Sequence, residues 1–192
     1  EVTDLSASAT ANTYIVSAAG GYKFNATVKG NGGLDPLTGT TATPITGVAG
    51  AKVLWELGDT AGKAIKYDNG TYELFYDDGY VYFYTPDSFV AGDAYVAVYD
   101  SSDEILWSWL IWATEAPSTT DYDDITVMDR NLGALGTGAV AYRGLAYEWG
   151  RKDPFPGCYN GSYTPSGYVP ARMTAYDIVN FATEGMTVAY SI

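Results

Sequence analysis

Apolar and polar residues alternate in short runs through the first 116 positions, with Gly, Asp, Asn and Pro between the runs. That rhythm is the mark of half-buried strands joined by tight turns. In "YIVSAAGGYKFNATVKG" (14–30) a Gly-Gly turn separates two such runs, and Tyr22, Phe24, Ala26 and Val28 alternate with Lys23, Asn25 and Thr27. "AKVLWEL" (51–57) is a further strand. "GTYELFYDDGYVYFYTP" (70–86) predicts a hairpin turning at Asp77-Asp78-Gly79, and "AYVAVYDSSDEILWSWLIWAT" (94–114) a second one turning at Ser101-Ser102-Asp103.

The run that closes this region is apolar on both faces. Alternation puts Ile105, Trp107, Trp109 and Ile111 on one side and Leu106, Leu110 and Trp112 on the other. A strand of this kind is expected to be buried twice, under the core on one side and under a neighbouring segment on the other. Tyr80, Tyr82 and Tyr84 also share one strand face. The expectation for them is a core face, and the alternative is an outward face on which sugar rings could stack.

About seven strands over roughly 110 residues is the number and spacing of an immunoglobulin-like β-sandwich, assigned to residues 1–116. "EAPSTTDYDD" (115–124) reads as a linker, having proline, hydroxyl residues and acids without a period. The second region, 117–192, holds a strand at "ITVMD" (125–129), a Gly-rich loop, and an irregular stretch with two prolines over 162–173. A short helix is expected over 174–185, with Thr174 as N-cap and Gly185 as stop. The fold class is therefore mainly β, a sandwich followed by a smaller irregular α+β region.

Composition narrows the chemistry. Of 192 residues, 47% are hydrophobic and 15% aromatic, enough for a folded core, and 18 of the aromatics are tyrosine. A formal charge of −13 argues against nucleic acid and anionic lipid as partners. The chain contains no histidine, which removes the commonest general base and metal ligand, and its single cysteine, Cys158, has no internal disulfide partner. No apolar run is long enough to span a bilayer, so direct membrane insertion of the chain is not expected.

The motifs point the same way. The glycines of "DRNLGALGTGAVAYRG" fit neither a dinucleotide fingerprint nor a phosphate loop, and the acids of "TDYDD" and "YDDG" lack the closing glutamate of a calcium loop. No cofactor, metal or catalytic residue is assigned. Glu148 and Asp153 could be paired as glycosidase carboxylates, but nothing in the pattern favours it. Three Asn-x-Ser/Thr sequons, at Asn25, Asn69 and Asn160, are common by chance in such a chain. The densest charge lies in "VMDRNLGA" (127–134) and "YEWGRKDPFPG" (147–157), which hold Asp129, Arg130, Asn131, Glu148, Trp149, Arg151, Lys152 and Asp153. These are read as a structural signature, charged side chains holding irregular loops with Trp149 as packing surface. Trp149 is also a candidate ligand contact.

"VMDRNLGA", followed by "GLAYEWGRKDPFPG" and "TVAYSI", resembles the Fibrobacter major paralogous domain family of exported surface proteins in gut Bacteroidetes. The segment before it resembles the β-sandwich that precedes that domain. The resemblance implies a second region similar to C-type-lectin-like or formylglycine-enzyme-like folds and incomplete at Ile192. It further implies a location at the bacterial surface, in lipoproteins or fimbrillin-like adhesins, and no catalytic residue of the enzyme-like class is matched in this chain. The function expected is a non-enzymatic module for adhesion, binding glycan or a host surface protein. The alternatives are an accessory module of a glycan-processing enzyme, or a structural spacer or pilus subunit.

Overall fold

The computed structural model describes residues 1–33, 41, 44–58, 64–137, 144–147 and 152–154. Regular structure among them is all strand: β1 (Val2–Asp4), β2 (Thr13–Val16), β3 (Gly21–Asn25), β4 (Gly50–Gly58), β5 (Tyr67–Asp68), β6 (Thr71–Tyr72), β7 (Leu74–Asp77), β8 (Tyr80–Tyr84), β9 (Gly92–Tyr99), β10 (Ile105–Ala113), β11 (Thr119–Tyr122) and β12 (Ile125–Met128). Two four-stranded sheets run in the orders β1-β3-β8-β7 and β2-β10-β9-β4, while β5-β6 and β11-β12 are two-stranded ribbons.

Turn chemistry explains the hairpins. Between β7 and β8 both Asp78 and Gly79 take positive φ, 42° and 83°, the combination whose twist matches that of paired strands. Between β9 and β10 the Asp100 carboxylate accepts the amides of Ser102 and Glu104 at 2.8 and 3.0 Å, and Asp103 sits at φ 64°. Gly20-Gly21 does a different job, carrying the chain from β2 in one sheet to β3 in the other.

The two sheets share a core in a sandwich-like arrangement. Phe24, Val81 and Phe83 of the first meet Tyr14, Val96, Trp109 and Ile111 of the second. Phe24 stacks on Tyr14 at 4.8 Å between ring centroids and tilts against Trp109 at 5.0 Å. Such aromatic pairs add about 0.5–1.5 kcal/mol each beyond the area they bury. Glu56, buried at the margin of this core, accepts hydrogen bonds from the Ile65 amide at 2.8 Å and the Tyr72 hydroxyl at 3.0 Å.

The second sheet is covered on its other face too. Leu54, Trp55, Tyr95, Leu110 and Trp112 pack there with Ala134 and Leu145, and with Met128, Leu132 and Tyr147 at the margin. The double burial expected of β10 is what the fold contains, and the covering segment is the chain that follows it. One detail differs from strict alternation. The β9–β10 register shifts between Ile105 and Trp107, so Ile105 joins the second cluster and Leu106 the first, the reverse of the expected faces. An extra residue in one strand inverts every side chain on its far side.

A second difference lies in the expected linker over 115–124. Thr119–Tyr122 is strand β11, paired antiparallel with β12 from Thr119↔Met128 to Tyr122↔Ile125. Four residues are too few to show a period, and the pairing rests on the Asp123-Asp124 turn, with Asp123 at φ 53°. The strand expected at 125–129 is β12. The irregular stretch 162–173 and the helix expected over 174–185 lie outside the described residues.

Candidate functional site

β8 pairs with β3 on one side and β7 on the other, so it runs through the middle of the first sheet. Val81 and Phe83 point inward and are fully buried, which sends Tyr80, Tyr82 and Tyr84 to the outer face. The expected core face for the tyrosines is therefore corrected. Alternation identifies which residues travel together but not which set faces in. Here the smaller Val81 and the hydroxyl-free Phe83 fill the intersheet space, where a buried phenol would need a hydrogen-bond partner.

Register builds the outer surface. Phe75 of β7 lies opposite Tyr82, and Lys23 of β3 lies opposite it on the other side. The Phe75 and Tyr82 rings stack nearly parallel, 5.0 Å apart at 4°, and Tyr80 tilts against Tyr82 at 6.4 Å. The Lys23 ammonium sits 4.5 Å from the centre of the Tyr80 ring and 5.7 Å from that of Tyr82. Gly21 lies under Tyr84, where a Cβ would come within 2.7 Å of the ring. The result is a strip of half-exposed tyrosines with Phe75 46% exposed beside it, flanked by one cation and by Asp77 opposite Tyr80. Its chemistry is that of a binding surface: aromatic area, phenol hydroxyls, and a positive charge held in place over the rings.

The charged signature divides between two other places. Asp129 and Arg130 pair with each other, Nε to Oδ1 at 2.7 Å and Nη2 to Oδ2 at 3.0 Å, and Arg130 Nη1 also donates to Thr114 Oγ1 at 3.0 Å. Ser118 donates its hydroxyl to Asp129 at 2.9 Å. These donors, Arg130 first, hold the Asp129 carboxyl well below the usual range, and Asp129 raises Arg130 in return. The cluster clamps the root of the β11-β12 hairpin to the end of β10. Asn131 continues it, its carbonyl accepting the Ala134 amide at 3.0 Å.

Lys152 and Asp153 meet inside the protein, on the second sheet. Asp153 Oδ1 accepts the Tyr95 hydroxyl, the Ser108 hydroxyl at 3.1 Å, and the Lys152 ammonium. Lys152 also donates to the Ser108 carbonyl at 3.1 Å and lies 4.6 Å over the Trp107 ring. Burial lowers the Lys152 pKa against the opposing pull of Asp153, while burial and then the Asp153 charge push the Tyr95 phenol well up. Lysine, serine and tyrosine in contact is an arrangement that chemistry can use, but Ser108 is fully buried and Asp153 only 3% exposed. In this place the cluster fastens residues 152–154 to the sheet. Glu148, Trp149 and Arg151 lie outside the described residues.

Sequence reasoning passed over three polar side chains of the second sheet. Tyr95 and Ser108 looked like ordinary strand positions, yet they receive the Lys152–Asp153 pair. Asp93 is fully buried, and neither of its carboxyl oxygens has a hydrogen-bond partner among the described residues. The available signal was a serine and an aspartate inside runs that are otherwise apolar on both faces. No family model, curated protein or solved structure matches this chain.

Proposed function

We propose that this chain is a non-enzymatic binding module of an exported bacterial surface protein, and that the outer face of β3, β8 and β7 is where it takes carbohydrate. The single observation carrying the reading is the outward set of Tyr80, Tyr82 and Tyr84 beside exposed Phe75, with Lys23 held above the rings. A contiguous aromatic surface on a folded protein marks an interaction site, and tyrosine supplies both ring area and a hydroxyl. Sugars combine apolar C–H faces with hydroxyl groups and suit such a surface.

The architecture is that of an immunoglobulin-like domain in the same proposal. What supports it is the strand order. With β1, β3, β4, β7, β8, β9 and β10 as strands A to G, the sheets read A-B-E-D and C-F-G, with β2 added beside G. The resemblance of "VMDRNLGA" and "YEWGRKDPFPG" to the Fibrobacter major paralogous domain supports the surface location.

Glycan-array screening of the purified chain, followed by calorimetry on the best hit, tests the binding role. Tyr82→Ala is expected to weaken the hit about tenfold or more, the effect of losing one central aromatic contact, while lowering the melting temperature by only a few degrees as its stack on Phe75 is lost. An array without hits, or a hit that Tyr82→Ala leaves untouched, overturns the assignment.

A further inference from the structure

The β11-β12 hairpin is built inside out. Its pairing places Thr120, Tyr122, Ile125 and Val127 on one face, and Thr119, Asp121, Thr126 and Met128 on the other. The polar face is locally satisfied, Thr126 donating to Asp121 across the strands at 2.7 Å, and its Met128 turns to the second cluster. The apolar face has no such cover among the described residues. Tyr122 is 64%, Ile125 62% and Val127 47% exposed, and these are three of the five large hydrophobic side chains most open to solvent among the described residues. A ribbon of two four-residue strands is marginal by itself and gains stability from a third strand.

Two features make this a receiving surface. The root is rigid: the Asp129 amide donates to the Ser118 carbonyl at 2.9 Å, and Arg130 ties the same point to Thr114. A strand template held in place loses little freedom when a partner adds to it. The second feature is charge. From Glu115 to Met128 the chain has four acids, Glu115, Asp121, Asp123 and Asp124, and no lysine or arginine. Another copy of this chain, itself at −13, would bring acid against acid. The complementary occupant is cationic.

We propose that β11-β12 is a strand-addition site for an extended, basic segment of a partner polypeptide, one that alternates apolar side chains with lysine or arginine. Its backbone extends the two-stranded ribbon, its apolar side chains cover Tyr122, Ile125 and Val127, and its cations lie along Asp121, Asp123 and Asp124. This surface is separate from the tyrosine strip on β8.

The test uses the full chain and a synthetic peptide of about eight residues, strand length, in which valine and lysine alternate, with a valine–glutamate peptide as comparison. Expected are saturable binding of the lysine peptide only, weakening as salt is raised above about 0.1 M, and slower amide exchange in Thr119–Met128 when it is bound. The variant Tyr122→Ser/Ile125→Thr/Val127→Thr, which changes exposed positions only, is expected to lose at least about tenfold in affinity. Asp123→Asn/Asp124→Asn, which retains the backbone-tolerant turn residues, is expected to weaken the salt dependence. Equal binding of both peptides, no binding, or full affinity in the triple variant overturns the proposal. So does slow exchange, in the free chain, of those amides that β11 and β12 do not bond to each other: if it depends on concentration the cover is a second copy, and if not it is the chain's own remaining segment.

Discussion

Asp93 offers the sharpest test of how this fold uses its interior. It stands on β9 in register with Trp112 of β10 and Leu57 of β4, has no exposed surface, and neither oxygen is hydrogen-bonded to any of the described residues. Burial pushes its pKa well above the usual carboxylate value. In the unfolded chain the group titrates near 3.9. Above that value the unfolded state releases a proton that the native state keeps, so stability falls as pH rises, by about 1.4 kcal/mol per unit until the native pKa is passed. Asp93→Asn preserves the shape and removes the titration.

The comparison is best made between about pH 5 and pH 7, because a chain with a pI of ≈ 4.1 loses solubility nearer that point. Across those two units the advantage of Asp93→Asn over wild type is expected to grow with pH, by up to about 1.4 kcal/mol per unit for as long as the pH stays below the native pKa. Urea unfolding of both proteins at several pH values reads it directly. Subtracting the two curves cancels the repulsion among the remaining acids, which both chains share. The slope carries the test, since an amide has unmet donors of its own and shifts only the intercept. A difference that stays constant over this range would mean that the Asp93 carboxyl is already ionised in the folded protein by about pH 5, and the reasoning would fail.

Two further outcomes follow from the second sheet and its cover. Asp153→Asn leaves the Lys152 ammonium buried without its counter-charge and is expected to cost about 3–5 kcal/mol. The double change Lys152→Met/Asp153→Leu should recover more than half of that in the same urea assay, and no recovery would place the loss elsewhere. At Gly144, φ is 69° and an added Cβ would lie 2.4 Å from the Leu132 carbonyl oxygen, so Gly144→Ala is expected to cost at least about 2 kcal/mol. Gly47, at φ 74° with open space around it, is the control, where alanine should cost only about 1 kcal/mol. Equal losses at the two glycines would mean that the loop carrying Gly144 is not held against Asn131 and Leu132.

Much of the first region was legible because local chemistry decided it. The Asp78-Gly79 and Asp103 turns announce themselves by residue type, since both need a left-handed backbone that aspartate and glycine tolerate. The apolar run Ile105–Ala113 declared its double burial for the same local reason, a count of side chains that alternation cannot hide. The site was less legible. Lys152 and Asp153 were visible as charges in a motif, but their partners Tyr95 and Ser108 lie 57 and 44 residues away along the chain from Lys152, at positions that look like any other strand residue. The strand at Thr119–Tyr122 was hidden by its shortness.

The sequence alone determined most strands of the two sheets, where the main hairpins turn, and, away from the register shift at Ile105, which side chains share a face, because all of these depend on near neighbours and on the two-residue repeat of a strand. Tertiary structure decided which face looks inward. It turned Tyr80, Tyr82 and Tyr84 outward by giving the intersheet space to Val81 and Phe83, and it inverted Ile105 and Leu106 through one extra residue in the register. Among the described residues it also left Tyr122, Ile125 and Val127 exposed and Asp93 sealed without a hydrogen-bond partner. Each of these depends on what a distant segment places opposite the side chain, and that is a property of packing in three dimensions, which no local period encodes.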